Sequence, residues 1–431
     1  MTPPADGSGK KFVCYFTNWA QYRSGEFKFD AERDIDPNLC THINYAFGKV
    51  ADITFALEAY EWNDESDPAP CDTVPDGTWC MKGNFEKVLS HKAANPNLKV
   101  LISLGGWNFN FNFATSHIFT TMVETSENRA RFINSAISFL RTWGFDGLDL
   151  DWEYPGVDYM GGRPQDKANF VLLLEELRVA FEEEAVRSGK PPLLLTLAVG
   201  VGKGTVDAAY DIPGIDAQVD FINLMTYDLH GGWDGKTGHH TVFEAKPEDY
   251  DDYPLSIKWA VEYWLQLGAT PAKLVLGLGT YGRSFTLKSA DTGYNAVAET
   301  GAAGPYTRER GFISYYEVQK ILAERPNAQR IWDPVRKVPY VIDGNQWIGY
   351  DDEQSLAIKL DELVAGYGMG GGMVWAMDLD DFRGQSYPLM RHIRTTLDAM
   401  STEEPTGRRL LVVREAPKPE RKSMLGRKML R

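Results

Sequence analysis

Residues 145–155 read FDGLDLDWEYP and place Asp149, Asp151 and Glu153 two positions apart. On an extended strand that period puts the three carboxyls on one face, with Leu148, Leu150 and Trp152 on the other. An acidic row backed by an apolar row is costly, because like charges crowd together where water is limited. The same crowding is chemically useful. A carboxyl beside another carboxyl in a partly dry site has a raised pKa, keeps its proton near neutral pH and can serve as a general acid. Glu153, at the end of the run with Asp151 behind it, is the residue best placed for that role. A solvated strand end and a metal site are the alternatives. Calcium loops space their oxygen ligands similarly but need a glycine turn between them, whereas magnesium does sit at barrel strand ends. The expectation is acid–base chemistry with no metal and no cofactor.

The acids lie in the fourth of eight short apolar runs rich in β-formers, the others being 12–17, 41–47, 99–103, 193–199, 219–225, 273–278 and 372–377. Helical stretches are expected between them over 126–143, 166–188, 255–267 and 353–367. In the first of these, Phe132, Ile133, Ala136, Ile137 and Leu140 follow the three-and-four spacing of a one-sided helix. Alternating strands and helices predict a parallel (β/α)8 TIM barrel, which builds its site at the C-terminal strand ends. An open doubly wound sheet would want a phosphate-binding glycine turn after the first strand, and that turn is missing. The domain organisation expected is a flexible segment 1–10, a catalytic barrel 11–400 and a basic tail 401–431. An α+β insertion over 283–349, after strand seven, interrupts the barrel and can wall one side of a cleft.

A 43% hydrophobic content over 431 residues, with 12 Trp and 20 Tyr, marks a folded chain suited to flat apolar ligand faces such as sugar rings. A net charge of −15 excludes a general nucleic-acid binder, which needs a basic face. No apolar run reaches about 18 residues, so neither a transmembrane helix nor a membrane partner is expected. The opening MTPPADGSGKK lacks the apolar core of a signal peptide. Cys14, Cys40, Cys71 and Cys80 allow three pairings between which the sequence does not choose. Because Cys71 and Cys80 bracket a short polar loop, the expectation is 71–80 with 14–40. Gly277-x-Gly279-x-x-Gly282 matches a dinucleotide-binding pattern, but no helix follows it. His230, His239 and His240 share one polar loop without ligand spacing and read as solvent-exposed rather than as a metal cluster.

The acidic run resembles the D-x-x-D-x-D-x-E signature of the family-18 glycoside hydrolases, the chitinase family. SLGGW (103–107) is similar to that family's third-strand motif, LMTYD (224–228) to its sixth-strand motif, and MVWAMDLDDF (373–382) to its last-strand tryptophan motif. Residues 14–23, 280–285 and 346–352 resemble the animal-type secreted members. The similarity spans about 11–400 with the motifs in order, and departs from the pattern in the 71–80 loop, the basic tail and the lack of a C-terminal chitin-binding module.

The resemblance implies a barrel with an insertion after strand seven and a retaining endo-chitinase working by substrate-assisted catalysis. It implies Glu153 as acid/base, Asp151 as the carboxyl orienting the substrate acetamide, Asp149 as its support and Tyr227 as hydroxyl donor, with Met225 and Asp228 alongside. Trp375 would be the platform of the central sugar, and Trp19, Trp107 and Trp233 further platforms. Tyr15, Tyr45 and Phe47 would close the barrel floor, Tyr281 and Arg283 border the cleft, and Glu309 line it from the insertion. Asp146 matches the first motif acid, yet alternation puts it on the opposite face. Either Gly147 is a local irregularity or Asp146 is structural. The implied partner is chitin or its oligosaccharides, met by an extracellular monomer. A catalytically weak chitin-binding lectin and an endo-β-N-acetylglucosaminidase on the same fold are the alternatives.

Overall fold

Eight strands with almost wholly apolar sequences close into a parallel ring in the computed structural model, which describes residues 9–66, 69–70, 79–80, 82–250, 252–384 and 386–402. They are β1 (Lys11–Thr17), β2 (His42–Val50), β3 (Lys99–Gly105), β4 (Gly147–Asp151), β5 (Leu194–Val199), β6 (Phe221–Leu224), β7 (Leu274–Gly279) and β8 (Gly371–Trp375). Each pairs with the next, and β1 pairs with both β2 and β8, so the sheet has no free edge along the ring. Closure explains the sequence pattern, because every strand is covered on both faces. Leu148, Leu150 and Trp152 of the β4 segment join the large outer core beneath the helices. Val13, Tyr15, Ala198, Phe221, Val275 and Met373 form a separate inner cluster that fills the barrel.

The helices packed outside begin and end on local signals. Thr125 caps Ser126–Trp143 by accepting from the Asn128 amide at 3.2 Å, and Gly144 ends it at φ 88°. Asp166–Ser188 ends at Gly189 in the same left-handed conformation. The helix expected over 353–367 starts at Glu353–Lys359 and continues as a π-helical stretch, Leu360–Ala365.

Between β7 and β8 the chain builds a six-stranded antiparallel sheet from residues 281–350, with the helix Tyr315–Glu324 against it. Within it Phe312–Ser314 is a short strand that leads directly into the helix. Ser314 and Glu317 form a capping box that turns the chain into the helix, a Ser-x-x-Glu pattern already present in the sequence.

At the lower end of the barrel, β4 and β5 approach so closely that a Cβ on Gly147 would lie 2.3 Å from the Leu194 carbonyl oxygen. Pairing is nonetheless regular from Gly147 onward on both sides. Asp146 lies just before the strand, where its carboxylate accepts from the Val100 amide and the Lys92 ammonium, both at 2.8 Å. Of the two options for Asp146, the geometry is that of a structural tie. A disulfide links Cys14 of β1 to Cys40 ahead of β2. The expected 71–80 bridge falls outside the described residues. So does the 401–431 tail beyond Thr402, where the helix Pro388–Thr402 ends.

Candidate active site

β4 presents the acids. Asp149 is fully buried inside the barrel, where its carboxylate accepts from Tyr15 Oη (2.6 Å), Ser103 Oγ (2.8 Å), Thr196 Oγ1 (2.6 Å) and Asn223 Nδ2 (3.3 Å). Burial pushes its pKa up and these donors hold it back. Asp151, one layer nearer the mouth, is also buried, yet among the described residues its Oδ1 has no hydrogen-bond partner. Burial, then the Glu153 and Asp149 charges, push this carboxyl well above the ordinary range. Glu153 follows the strand end and accepts from Tyr154 Oη at 3.0 Å. Burial raises it to about 7, the Tyr154 hydroxyl opposes the shift and the Asp228 charge adds to it. Asp151 and Glu153 titrate as neighbouring carboxyls, and among the described residues neither forms an ion pair.

The loop after β6 supplies the next group. Among the described residues Tyr227 donates to Met373 Sδ alone, a weak acceptor at 3.9 Å, so its hydroxyl can be recruited by a ligand. Asp228, at φ 56°, accepts from Tyr281 Oη (2.7 Å), Arg283 Nε (2.7 Å) and Arg283 Nη2 (2.6 Å). Burial alone would raise Asp228, but the Arg283 guanidinium holds it well below the usual carboxylate range. Met225 and Tyr227 pack at the top of the inner cluster with Trp375 and Phe47.

Trp375 lies half-buried at the end of β8, its ring 5.2 Å from Tyr15, 5.9 Å from Phe47 and 6.1 Å from Trp19. Phe47 packs on the inner cluster and stacks toward Trp19 at 5.9 Å and 22°. Trp19, Trp107 and Trp233 are exposed. Trp233 lies against the Arg283 guanidinium, 5.3 Å from ring to charge. Glu309 is exposed on the insertion and reaches Arg283 only through its charge.

Two expectations need correcting. Tyr45 does not face the barrel interior. It points outward into the core with Phe16 and Phe85 and donates to Asp64, because the Tyr15 and Asn44 positions pair where the inward face requires them. His239 and His240 are completely buried, not solvent-exposed. They lie between barrel and insertion, where His239 Nε2 meets the carbonyls of Pro339 and Tyr350 at 3.0 and 2.8 Å. His240 Nε2 meets the Tyr281 carbonyl at 3.0 Å, with Nδ1 3.7 Å from Asp228 Oδ1. Sequence reasoning also missed Ser103, Thr196, Asn223 and Tyr154. Three of these are small polar residues on inward strand positions, a signal that an otherwise apolar strand carries openly.

Two separate hollows, about 180 Å³ beside Glu317 and Lys320 and about 410 Å³ beside Tyr159 and Tyr253, are not lined by the acids. Asp151 and Glu153 lie at the C-terminal end of β4 and Trp375 at the C-terminal end of β8, the same end of the parallel barrel. Residues 11–380 match the family described as Glycosyl hydrolases family 18. The chain belongs to that family. Mouse (Mus musculus) chitotriosidase-1 is 42% identical to it over 97% of this chain and 83% of the relative. The crystal structure of an immunomodulatory active chitinase from Trichuris suis superposes with a TM-score of 0.80 at 39% identity, covering 90% of this chain and 100% of that one. Human YKL-39, described as a pseudo-chitinase with retained chitooligosaccharide binding, superposes at 0.78 and 36% identity over 90% of this chain and 99% of its own. The matched structures thus include one described as an active chitinase and one described as a pseudo-chitinase.

Proposed function

We propose that this chain is a retaining endo-chitinase that hydrolyses β-1,4-linked N-acetylglucosamine polymers by substrate-assisted catalysis. The observation that carries the reading is Glu153, a buried carboxyl raised to about 7 at a strand end, with Trp375 at the same end of the barrel. A carboxyl with that value holds a proton at neutral pH and gives it up readily once a leaving oxygen needs it. Glu153 protonates the glycosidic oxygen while the substrate's own acetamide oxygen attacks C1, forming an oxazolinium intermediate. The Glu153 carboxylate then takes a proton from water as that water opens the ring, so configuration is retained. This family is an exception to the scheme of two carboxylates with one as nucleophile.

Asp151 supports the step through its Oδ1, partnerless among the described residues and an acceptor suited to the acetamide N–H. The Tyr227 hydroxyl, held by a thioether, is suited to the acetamide oxygen. Together they fix the attacking pose and convert orientation into rate. Asp149, satisfied by its four donors, fixes the strand and keeps negative charge behind Asp151. The Cys14–Cys40 disulfide suits an oxidising, extracellular setting.

A lectin of the same fold, like the pseudo-chitinase relative, is the competing reading, and retention of Glu153 argues against it. Incubation with N-acetylglucosamine oligomers and with their deacetylated counterparts separates the two. The chitinase reading expects β-configured initial products from the acetylated series, none from Glu153→Gln, and poor turnover without the acetamide. Binding without release of products would overturn it in favour of a lectin.

A further inference from the structure

We propose that Phe111 and Phe113 extend the sugar-binding surface beyond Trp107, making the loop after β3 a specificity element for long chains; the inference rests on the proposed function. Residues 108–113 read Asn-Phe-Asn-Phe-Asn-Phe. Phe109 and Asn110 anchor the segment to the acid-bearing strand. Phe109 is buried edge-on against Phe119 (5.6 Å), which stacks on Trp152 at 5.3 Å and 16°. Trp152 sits between Asp151 and Glu153. Asn110 Nδ2 donates to the Asp151 carbonyl at 3.1 Å, beside the Gly106 amide that donates to the same oxygen at 2.9 Å. Asn112 Oδ1 accepts from the Ala114 amide at 2.9 Å, and Thr115 Oγ1 donates to the Phe109 carbonyl at 2.6 Å. Gly106, at φ 79°, lets the Phe47 ring pass where a Cβ would sit 2.4 Å from it.

A loop so firmly tied could bury its aromatic rings, yet it displays them. Trp107 is 49% exposed, Phe111 56% and Phe113 98%. Trp107 and Phe111 stack at 5.1 Å and 19°, forming one apolar ledge. Exposed large apolar side chains gathered in one place on an anchored loop mark a ligand surface rather than a packing defect. The occupant is set by continuity. The ledge is bolted to the backbone of Asp151, so a sugar chain running through the cleft past β3 meets Trp107 and then Phe111. Pyranose rings present flat apolar faces that suit such stacking, and the anchoring keeps the ordering cost of binding low.

The test measures kcat/KM on N-acetylglucosamine oligomers from three to eight units for the wild type, Phe111→Ala, Phe111→Tyr and Phe113→Ala. In Phe111→Ala the ratio of long-chain to trimer kcat/KM is expected to fall about three- to tenfold through KM, the range of one lost aromatic contact. Phe111→Tyr, which keeps the ring, restores the ratio, and the thermal midpoint stays put in every variant. An unchanged ratio in both alanine variants, or a loss that Phe111→Tyr fails to restore, overturns the proposal while leaving the chitinase reading intact. A wild type that neither binds nor cleaves any oligomer sinks the chitinase reading, and this surface falls with it.

Discussion

Two buried acidic centres, one at the start of the helix that leads into β8 and one at the end of β4, are built by opposite rules. In the insertion-side centre, Asp351 accepts from Lys359 Nζ, from Ser355 Oγ at 2.6 Å and from Thr241 Oγ1 at 2.7 Å. Burial alone would raise Asp351, but Lys359, His239 and Ser355 together hold the carboxyl below its ordinary value. In the β4 centre, Asp151 and Glu153 are as deeply buried but face carboxyls and hydroxyls, and both are raised. Burial is the same in the two places; the partner differs. At Asp351 the Lys359 cation favours the ionised carboxyl, whereas at Asp151 and Glu153 burial and neighbouring carboxyls favour the protonated form.

Substitutions on either side break this contrast in different currencies. Glu153→Gln removes the proton donor, and kcat on oligomers is expected to fall about 10²- to 10⁴-fold. Its unfolding midpoint in denaturant should hold or rise, because one of two crowded acids has gone. Lys359→Met does the reverse. It leaves Asp351 buried without its cation and should cost about 3–5 kcal/mol in chemical denaturation, with catalysis by the folded fraction retained. The double change Lys359→Met with Asp351→Leu should recover most of that loss. Tyr15→Phe is the mildest of the set, because Asp149 keeps three of its donors. Removing one hydrogen bond to a charged group there should cost about 1.5–3 kcal/mol.

Much of this architecture could be read from sequence, and the reasons are physical. The eight barrel strands are short runs rich in apolar residues, which marks them in any reading, and Ser126–Trp143 and Asp166–Ser188 appear to the residue because glycines end them. The acids of β4 announced themselves through period two. What stayed hidden depends on distant chain. His239 and His240 look like a polar loop until carbonyls about 100 residues away, at Pro339 and Tyr350, enclose them. Lys359 reads as an ordinary helix-surface charge, and only the folded insertion shows it completely buried. Phe111 and Phe113 resemble core residues in sequence, and nothing local says that the loop turns them outward.

The sharpest test of the account is the pH dependence of kcat/KM. Glu153 must carry its proton to protonate the leaving oxygen, so activity belongs below its folded pKa and fades above it. The value of about 7 is raised from 4.5, so the folded state binds the extra proton and loses stability as pH rises between those values. The account predicts an alkaline limb in kcat/KM with an apparent pKa near 7. A profile that stays flat from about pH 5 to 9, or that rises through neutrality, would contradict it.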